Sequence, residues 1–304
     1  MSGLAHSMPT PRWEGSTVVV PPPEAGPGAW AGAPSAVLVD GVVYLAYRLR
    51  LRIGQGRGYG NVLARSDDGV HFEQLGLIEK YRFGAESLER PALTVTPDGR
   101  WRLYISAATP GTKHWRVDLL EADAPENLPD APAKTVLPGD DTIGVKDPVL
   151  LHDSGRWHLW ASVHPLESDE NADRMTTRYA ISPNGVDWAW QGTVLQGQAG
   201  QWDARGVRLT SVLAHDDGLL ASYDGRASAA ENWEERTGTA RGGRLPDGLF
   251  GALRADDAPP LGSPHPPNGL RYLSVLTLPD GRYRIYYEAT RADGAHELRT
   301  EVLD

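Results

Sequence analysis

Three carboxylates stand at positions suited to chemistry: Glu89, Asp147 and Glu288. Glu89 and Asp147 each open an apolar run, in Glu89-Arg-Pro-Ala92 and Lys146-Asp-Pro-Val149, and Glu288 closes one. Two carboxyl groups facing one gap can divide the roles of acid and base. Like-charge proximity raises one pKa and leaves the other group ionised. Glu89 with Asp147 is the expected pair, and Glu288 is a third candidate. Cations are interleaved with them: Arg48, Arg90, Lys146, Arg205, Arg208 and Arg271. A guanidinium is a rigid fork that matches carboxylate or phosphate, so these residues imply an anionic group on a ligand. The competing reading is that they pair with Asp and Glu of neighbouring elements, and that a carboxylate beside Arg90 or Lys146 only neutralises it.

Other chemistries are excluded or unsupported. There is no cysteine, hence no disulfide and no thiolate metal site. His152, His158, His164, His215 and His265 show no zinc-like spacing, and neither a phosphate-cradling glycine loop nor a Ser-His-Asp elbow is present. No metal and no organic cofactor is expected. The formal charge of −10 argues against a nucleic-acid partner. No apolar run reaches 18 residues, so no membrane span is expected. Residues 1–13 lack a basic start followed by an apolar stretch, and the expected location is cytoplasmic.

The elements that must position these side chains come from a repeat. Five times an apolar run meets a polar residue, a glycine and an aromatic-rich run, as in Ala92-Leu-Thr-Val-Thr-Pro-Asp-Gly-Arg-Trp-Arg-Leu-Tyr104. The turn glycines are Gly41, Gly99, Gly155, Gly218 and Gly281, 56 to 63 residues apart. Asp-Gly between apolar runs signals a hairpin, because the turn needs positive φ. Four residues past the glycine stand Leu45, Leu103, Leu159 and Ile285, with Ser222 the exception. Five past it stand Tyr104, Trp160, Tyr223 and Tyr286, with Ala46 the exception. Equal offsets imply equal packing sites. Each period has room for an outer hairpin, supplied by Arg65-Ser-Asp-Asp-Gly-Val-His-Phe72 and Ile181-Ser-Pro-Asn-Gly-Val-Asp-Trp188.

Four antiparallel strands per period, repeated radially, predict an all-β, five-bladed β-propeller, one domain spanning residues 1–304. Ten Trp, eleven Tyr, 34 Gly and 24 Pro suit many short strands and tight turns. The isolated run at residues 15–20 is expected to complete the fifth blade and close the ring. Residues 227–268, Gly/Pro-rich and weakly patterned, are expected to be a long excursion between blades four and five. The best helical candidate is residues 118–127. Side chains that converge on the axis should come from just before each inner hairpin: Gly32-Ala33, Glu89-Arg90, Lys146-Asp147, residues 205–208 and Arg271-Tyr272. Glu288 and Arg48, at strand ends, are expected near the same mouth.

These phrases resemble the five-bladed glycoside hydrolase superfamily of families 43, 32, 68, 117 and 130, most of all family 130, the mannoside phosphorylases and related hydrolases. The likeness runs from about residue 30 to residue 224. It rests on Ala33-Pro-Ser-Ala, Asp40-Gly-Val-Val-Tyr-Leu-Ala-Tyr-Arg48, Val62-Leu-Ala-Arg-Ser-Asp-Asp-Gly-Val-His-Phe72, Lys146-Asp-Pro-Val149, Gln201-Trp-Asp203 and Tyr223-Asp-Gly225. The departures are specific. Where family 130 carries Glu-Asp-Pro-Arg, this chain has Glu89-Arg-Pro-Ala92, so Arg90 stands for the general acid and Ala92 for a phosphate-contacting Arg. Where family 43 opens its first blade with a catalytic Asp-Pro, this chain has Ala33-Pro34. Asp147 matches the Asp that tunes the acid in family 43.

The resemblance implies a glycosidase-type enzyme acting on a small saccharide or glycoside, with an acidic group on it if the arginines face the ligand. Glycoside cleavage uses two carboxyl groups flanking the bond. The resemblance also makes Asp224, after Tyr223, a sugar contact, although a plain turn residue reads the same way. Trp202, Trp115, Trp30 and Trp233 lie off the repeated core offsets and offer faces for a sugar ring or for blade packing. Some relatives hold calcium in the channel, for which oxygen ligands leave no readable spacing here. The alternatives are a sugar-binding propeller that has lost its chemistry, and a lyase or isomerase on an anionic metabolite. Phosphorolysis is disfavoured by Ala92, and a sialidase by the count of blades.

Overall fold

The computed structural model describes residues 7–52 and 54–304. It is a five-bladed β-propeller with twenty strands among the described residues. Blade one contains β2 (Trp30–Val39), β3 (Val42–Arg50), β4 (Gly58–Ser66) and β5 (Glu73–Glu79); β1 (Thr17–Val20) precedes it. Blade two contains β6 (Leu88–Val95), β7 (Trp101–Ala108), β8 (Trp115–Ala122) and β9 (Lys134–Leu137). Blade three contains β10 (Ile143–Asp153), β11 (Arg156–Pro165), β12 (Thr176–Ser182) and β13 (Ala189–Leu195). Blade four contains β14 (Gly206–Ala214), β15 (Gly218–Arg226), β16 (Arg236–Gly243) and β17 (Arg254–Ala255). Blade five contains β18 (Leu270–Thr277), β19 (Tyr283–Thr290) and β20 (His296–Leu303).

The fifth blade takes its outer strand from the other end of the chain: β1 pairs antiparallel with β20, Thr17 opposite Thr300. A single parallel bridge, Trp30 to His296, joins the first and last blades. The inner strands touch in circular order, β2 to β6, β10, β14, β18 and back to β2. That circuit is the closed ring.

The repeated offsets are the packing between blades. Leu45, Leu103, Leu159 and Ile285 are fully buried, as are Tyr104, Trp160 and Tyr286. Two of these aromatics also lock a blade to its neighbour. The Tyr104 hydroxyl donates to the Gly185 carbonyl and the Tyr286 hydroxyl to that of Gly69, both 2.8 Å. Gly69 and Gly185 are the turns of the two expected outer hairpins, at φ 74° and 74°.

Two local expectations change. Residues 227–268 are not one excursion, because β16 and β17 complete blade four inside them. Their Gly- and Thr-rich pattern hides the strands, since Gly238 must leave room for Trp202 and Tyr223. Residues 118–127 divide into the end of β8 and a 3₁₀ turn at Pro125–Asp130. Period-two burial in a blade overrides the helical propensity of Leu119, Leu120, Glu121 and Ala122.

All five inner strands are bulged near the axis. The register shifts fall between Gly32 and Ser35, Leu88 and Pro91, Lys146 and Val149, Leu209 and Ser211, and Arg271 and Ser274. At three of them a non-glycine residue takes positive φ: Ala33 at 52°, Asp147 at 53° and Tyr272 at 56°. A bulge inserts one residue and re-aims its neighbours. Glu89, Lys146, Arg208 and Arg271, at or beside these bulges, line the cavity at the channel.

Candidate active site

The bulges surround a cavity of about 650 Å³ at one end of the channel, a size that accepts a small saccharide. Its wall is charged and aromatic. Arg48, Glu89, Lys146, Arg208 and Arg271 of the expected site line it, with Trp30, Trp115 and Trp233.

The floor is a network of alternating charge to which every blade contributes. Arg48 donates to Glu89 and, at 2.8 Å, to Glu288. Glu288 also accepts from Arg271 at 2.8 Å and from the Ala33 amide at 3.0 Å, and lies 2.7 Å from His296 Nδ1. Arg271 reaches Glu235 at 2.7 Å, which Arg226 also holds at 2.7 Å. Arg208 donates to Asp224 at 2.8 Å and approaches Asp147 at 3.4 Å. Lys146 Nζ is 3.5 Å from Asp147. Arg90 points away from the cavity; its amide donates to Asp147 and its Nε to the Pro34 carbonyl, both 3.3 Å. Gly32 is required by this arrangement. A Cβ there would lie 2.0 Å from Glu288 Oε2.

The three expected catalytic carboxylates are gathered on one axis but divide into two kinds. Glu89 faces the cavity. Asp147 and Glu288 are 0% exposed and sit behind the cations that they hold. Of the other expected contacts, Asp224 lies behind Arg208 and accepts the Tyr272 amide. Arg205 is at the edge, paired with Asp173. Trp202 stacks on Tyr223, ring centroids 5.5 Å apart, and the Tyr223 hydroxyl donates to Asp203; both rings pack within blade four.

The sequence reading missed Arg50, Arg226 and Glu235, which also line the cavity, as does Tyr272, expected at the axis. Arg50 was legible, being two residues beyond Arg48 on the same face of β3. Glu235 was not, because it lies between β15 and β16 in the weakly patterned stretch. Tyr272 was seen only as the neighbour of Arg271. Its ring has the Arg208 guanidinium 3.8 Å from its centroid, with Arg271 and Arg48 at 5.3 and 5.6 Å.

Electrostatics separates the carboxylates further. Burial pushes Glu89 up, but Arg48, Lys146, Arg50 and Arg271 outweigh it and hold the carboxyl at about 2. Burial is likewise overcome at Glu235, chiefly by Arg271 and Arg208, and at Glu288, by Arg271 and Arg48; both lie well below the ordinary range. At Asp224 burial wins over Arg208, and the carboxyl rises to about 6. Burial also lowers Lys146, and brings Arg50 and Arg90 down to about 10. Among the described residues no cluster of three or more His, Asp or Glu is placed to hold a metal ion, and no helix is long and apolar enough to cross a membrane.

With this geometry in view, comparison with solved structures fixes the architecture. Family-43 glycoside hydrolases share this five-bladed fold. A thermostable family-43 enzyme superposes with a TM-score of 0.66 at 16% identity, over 90% of this chain and 88% of that one. A family-43 enzyme from Xanthomonas citri, in complex with xylotriose, gives 0.65 at 17% identity over 94% and 90%. An α-L-arabinofuranosidase from Lactobacillus brevis gives 0.66 at 14% identity over 90% of each chain. No family model and no curated protein matches the sequence. The likeness is therefore one of fold.

Proposed function

We propose that the protein cleaves a glycosidic bond in a small saccharide bearing an anionic group, with Glu89 as the ionised carboxylate that attacks the anomeric carbon or activates water. The supporting observation is that Glu89 and Glu235 are carboxylates of the inner network that line a saccharide-sized cavity in a fold shared with glycosidases. Asp147 and Glu288 act through others in this reading. Asp147 positions Lys146 and Arg208, and Glu288 positions Arg48 and Arg271. The surplus of arginine over carboxylate supports the anionic group, because guanidinium forks recognise carboxylate and phosphate.

A second reading, a carbohydrate-binding protein without turnover, is favoured by one fact. Glu89 and Glu235, the inner-network carboxyls that line the cavity, are both lowered in the free protein, whereas cleavage calls for a protonated donor. Turnover of a panel of neutral and acidic aryl glycosides separates the two. Cleavage that drops by about a hundredfold or more in Glu89→Gln supports the first reading. Saturable binding with no turnover of any glycoside supports the second.

A further inference from the structure

We propose that the Glu89 side of the funnel holds a built oxyanion subsite, with Arg50 and Lys146 as its donors, which receives the carboxylate or phosphate group of an acidic saccharide. The proposal rests on the reading that the funnel takes a saccharide, and adds where the acidic group goes.

Both side chains are deeply buried, Arg50 4% and Lys146 8% exposed, yet both line the cavity. Neither charged group makes a hydrogen bond among the described residues. The nearest carboxylate oxygen to Arg50 is in Glu89 at 3.7 Å, and Arg50 Nε is buried with no partner. For Lys146 it is in Asp147 at 3.5 Å. Good N–H···O bonds to carboxylate are about 2.7–2.9 Å, and Arg208 and Arg271 each make contacts of that length in the same network. Arg48, Arg226 and Arg271 also leave one buried N–H unpaired each, but carboxylates hold them through their other nitrogens. Arg50 and Lys146 are cavity-lining cations whose charged groups make no hydrogen bond among the described residues.

Aromatic faces hold them in place without using those donors. The Arg50 guanidinium lies 4.3 Å from the Trp30 ring centroid and 5.0 Å from that of Trp233. The Lys146 ammonium lies 4.7 Å from that of Trp115. A ring attracts a cation to its face and leaves the in-plane N–H groups of a guanidinium free for an acceptor. The charge balance agrees. Glu89, Asp147, Asp224, Glu235 and Glu288 are the five buried carboxylates of the network, and Lys146 with six arginines outnumber them. An oxyanion from the ligand would supply the missing negative charge and the missing acceptors.

Such an anion would also bear on Glu89 itself. Arg50 and Lys146 are two of the four cations that hold Glu89 ionised. Neutralising them leaves the upward push of burial less opposed, so a bound acidic substrate would make the ionised Glu89 a stronger base.

Calorimetric titration of the full chain tests this, with glucuronate, galacturonate and glucose 6-phosphate as probes, each against its neutral parent sugar. The expected result is that at least one acidic member binds tenfold or more tightly over its parent. Arg50→Gln and Lys146→Gln should each remove roughly ten- to a hundredfold of that affinity, a larger loss than either causes for the neutral parent sugar. Arg50→Lys should recover part of it, and a thermal melt of each variant verifies folding. Uronates and the phosphosugar distinguish carboxylate from phosphate. No acid-over-neutral preference anywhere in the panel overturns the subsite, as does a preference that persists in both variants. Inorganic phosphate that binds as tightly as the phosphosugar, and depends on the same residues, overturns the claim that the anion is carried by the sugar. The two proposals fail separately: neutral glycosides cleaved without acid preference sink the subsite and the anionic group but leave the hydrolase standing, and acid preference without turnover sinks only the hydrolase.

Discussion

The inner strands carry two regions that obey opposite rules. Between the blades the side chains are apolar and repeated: Leu45, Leu103, Leu159 and Ile285 are equivalent residues in equivalent places. A few residues away, beside each bulge, the groups change from blade to blade, with arginine repeated only in blades four and five. The sequence there offers Gly32, Glu89, Lys146, Arg208 and Arg271 in turn. The packing is non-directional and tolerates repetition. The funnel is directional, because each buried charge must find its opposite on a neighbouring blade. A ring of identical residues there would repel itself, so the symmetry of the fold ends where the charge network begins.

If that division is right, single substitutions in the two regions should fail differently. The largest expected effect is at Glu288. Glu288→Gln keeps the shape but removes the charge that faces Arg48, Arg271 and His296. Breaking a buried pair from one side costs about 3–5 kcal/mol, to be read from urea unfolding. Leu103→Ala, in the packed region, should cost about 2–5 kcal/mol through the cavity it leaves. The pH response then divides them: the penalty of Glu288→Gln should shrink as pH falls below the ordinary carboxylate range, because Glu288 is held ionised in the folded chain, and that of Leu103→Ala should not change. Gly32→Ala is a smaller perturbation of the charged region, about 1–3 kcal/mol, by pressing on Glu288. Equal pH response in all three would remove the distinction.

The same division explains what could be read from the sequence. Five turn glycines with matched offsets gave the blades, and an unpaired strand at each end gave the closure through β1. These signals are legible because packing repeats. The site was legible only through register. Residues just before each inner hairpin had to face the axis, which is how Glu89, Lys146, Arg208 and Arg271 were found. Register does not say which of two adjacent residues a bulge will aim inward. So Asp147 was taken with Lys146 and Arg90 with Glu89, although Asp147 and Arg90 turn behind the wall. Glu235 comes from a loop with no period to betray it. Trp202 and Tyr223 were drawn in by a matching phrase, and the structure has them closing the interior of blade four.

The finest contrast lies within the charged region, between two carboxylates pushed in opposite directions. Asp224 is raised by burial from its ordinary 3.8 to about 6. Its protonated form therefore favours the folded chain: that contribution is whole below about pH 3.8 and is lost as pH rises through about 6. Glu89 is held at about 2 against its ordinary 4.5 by its four cations. Its contribution is whole above about pH 4.5 and is lost as pH falls toward about 2. Each effect is worth on the order of a few kcal/mol at most. Unfolding free energies across this range should show the wild type losing ground to Asp224→Asn between about pH 4 and pH 6. Against Glu89→Gln the wild type should hold a constant margin in that window and lose it only at more acid pH. A wild-type margin over Asp224→Asn that grows as pH rises would mean that Arg208 and the Tyr272 amide prevail over burial. Asp224 would then be a second ionised strut, not the proton-holding member of the network.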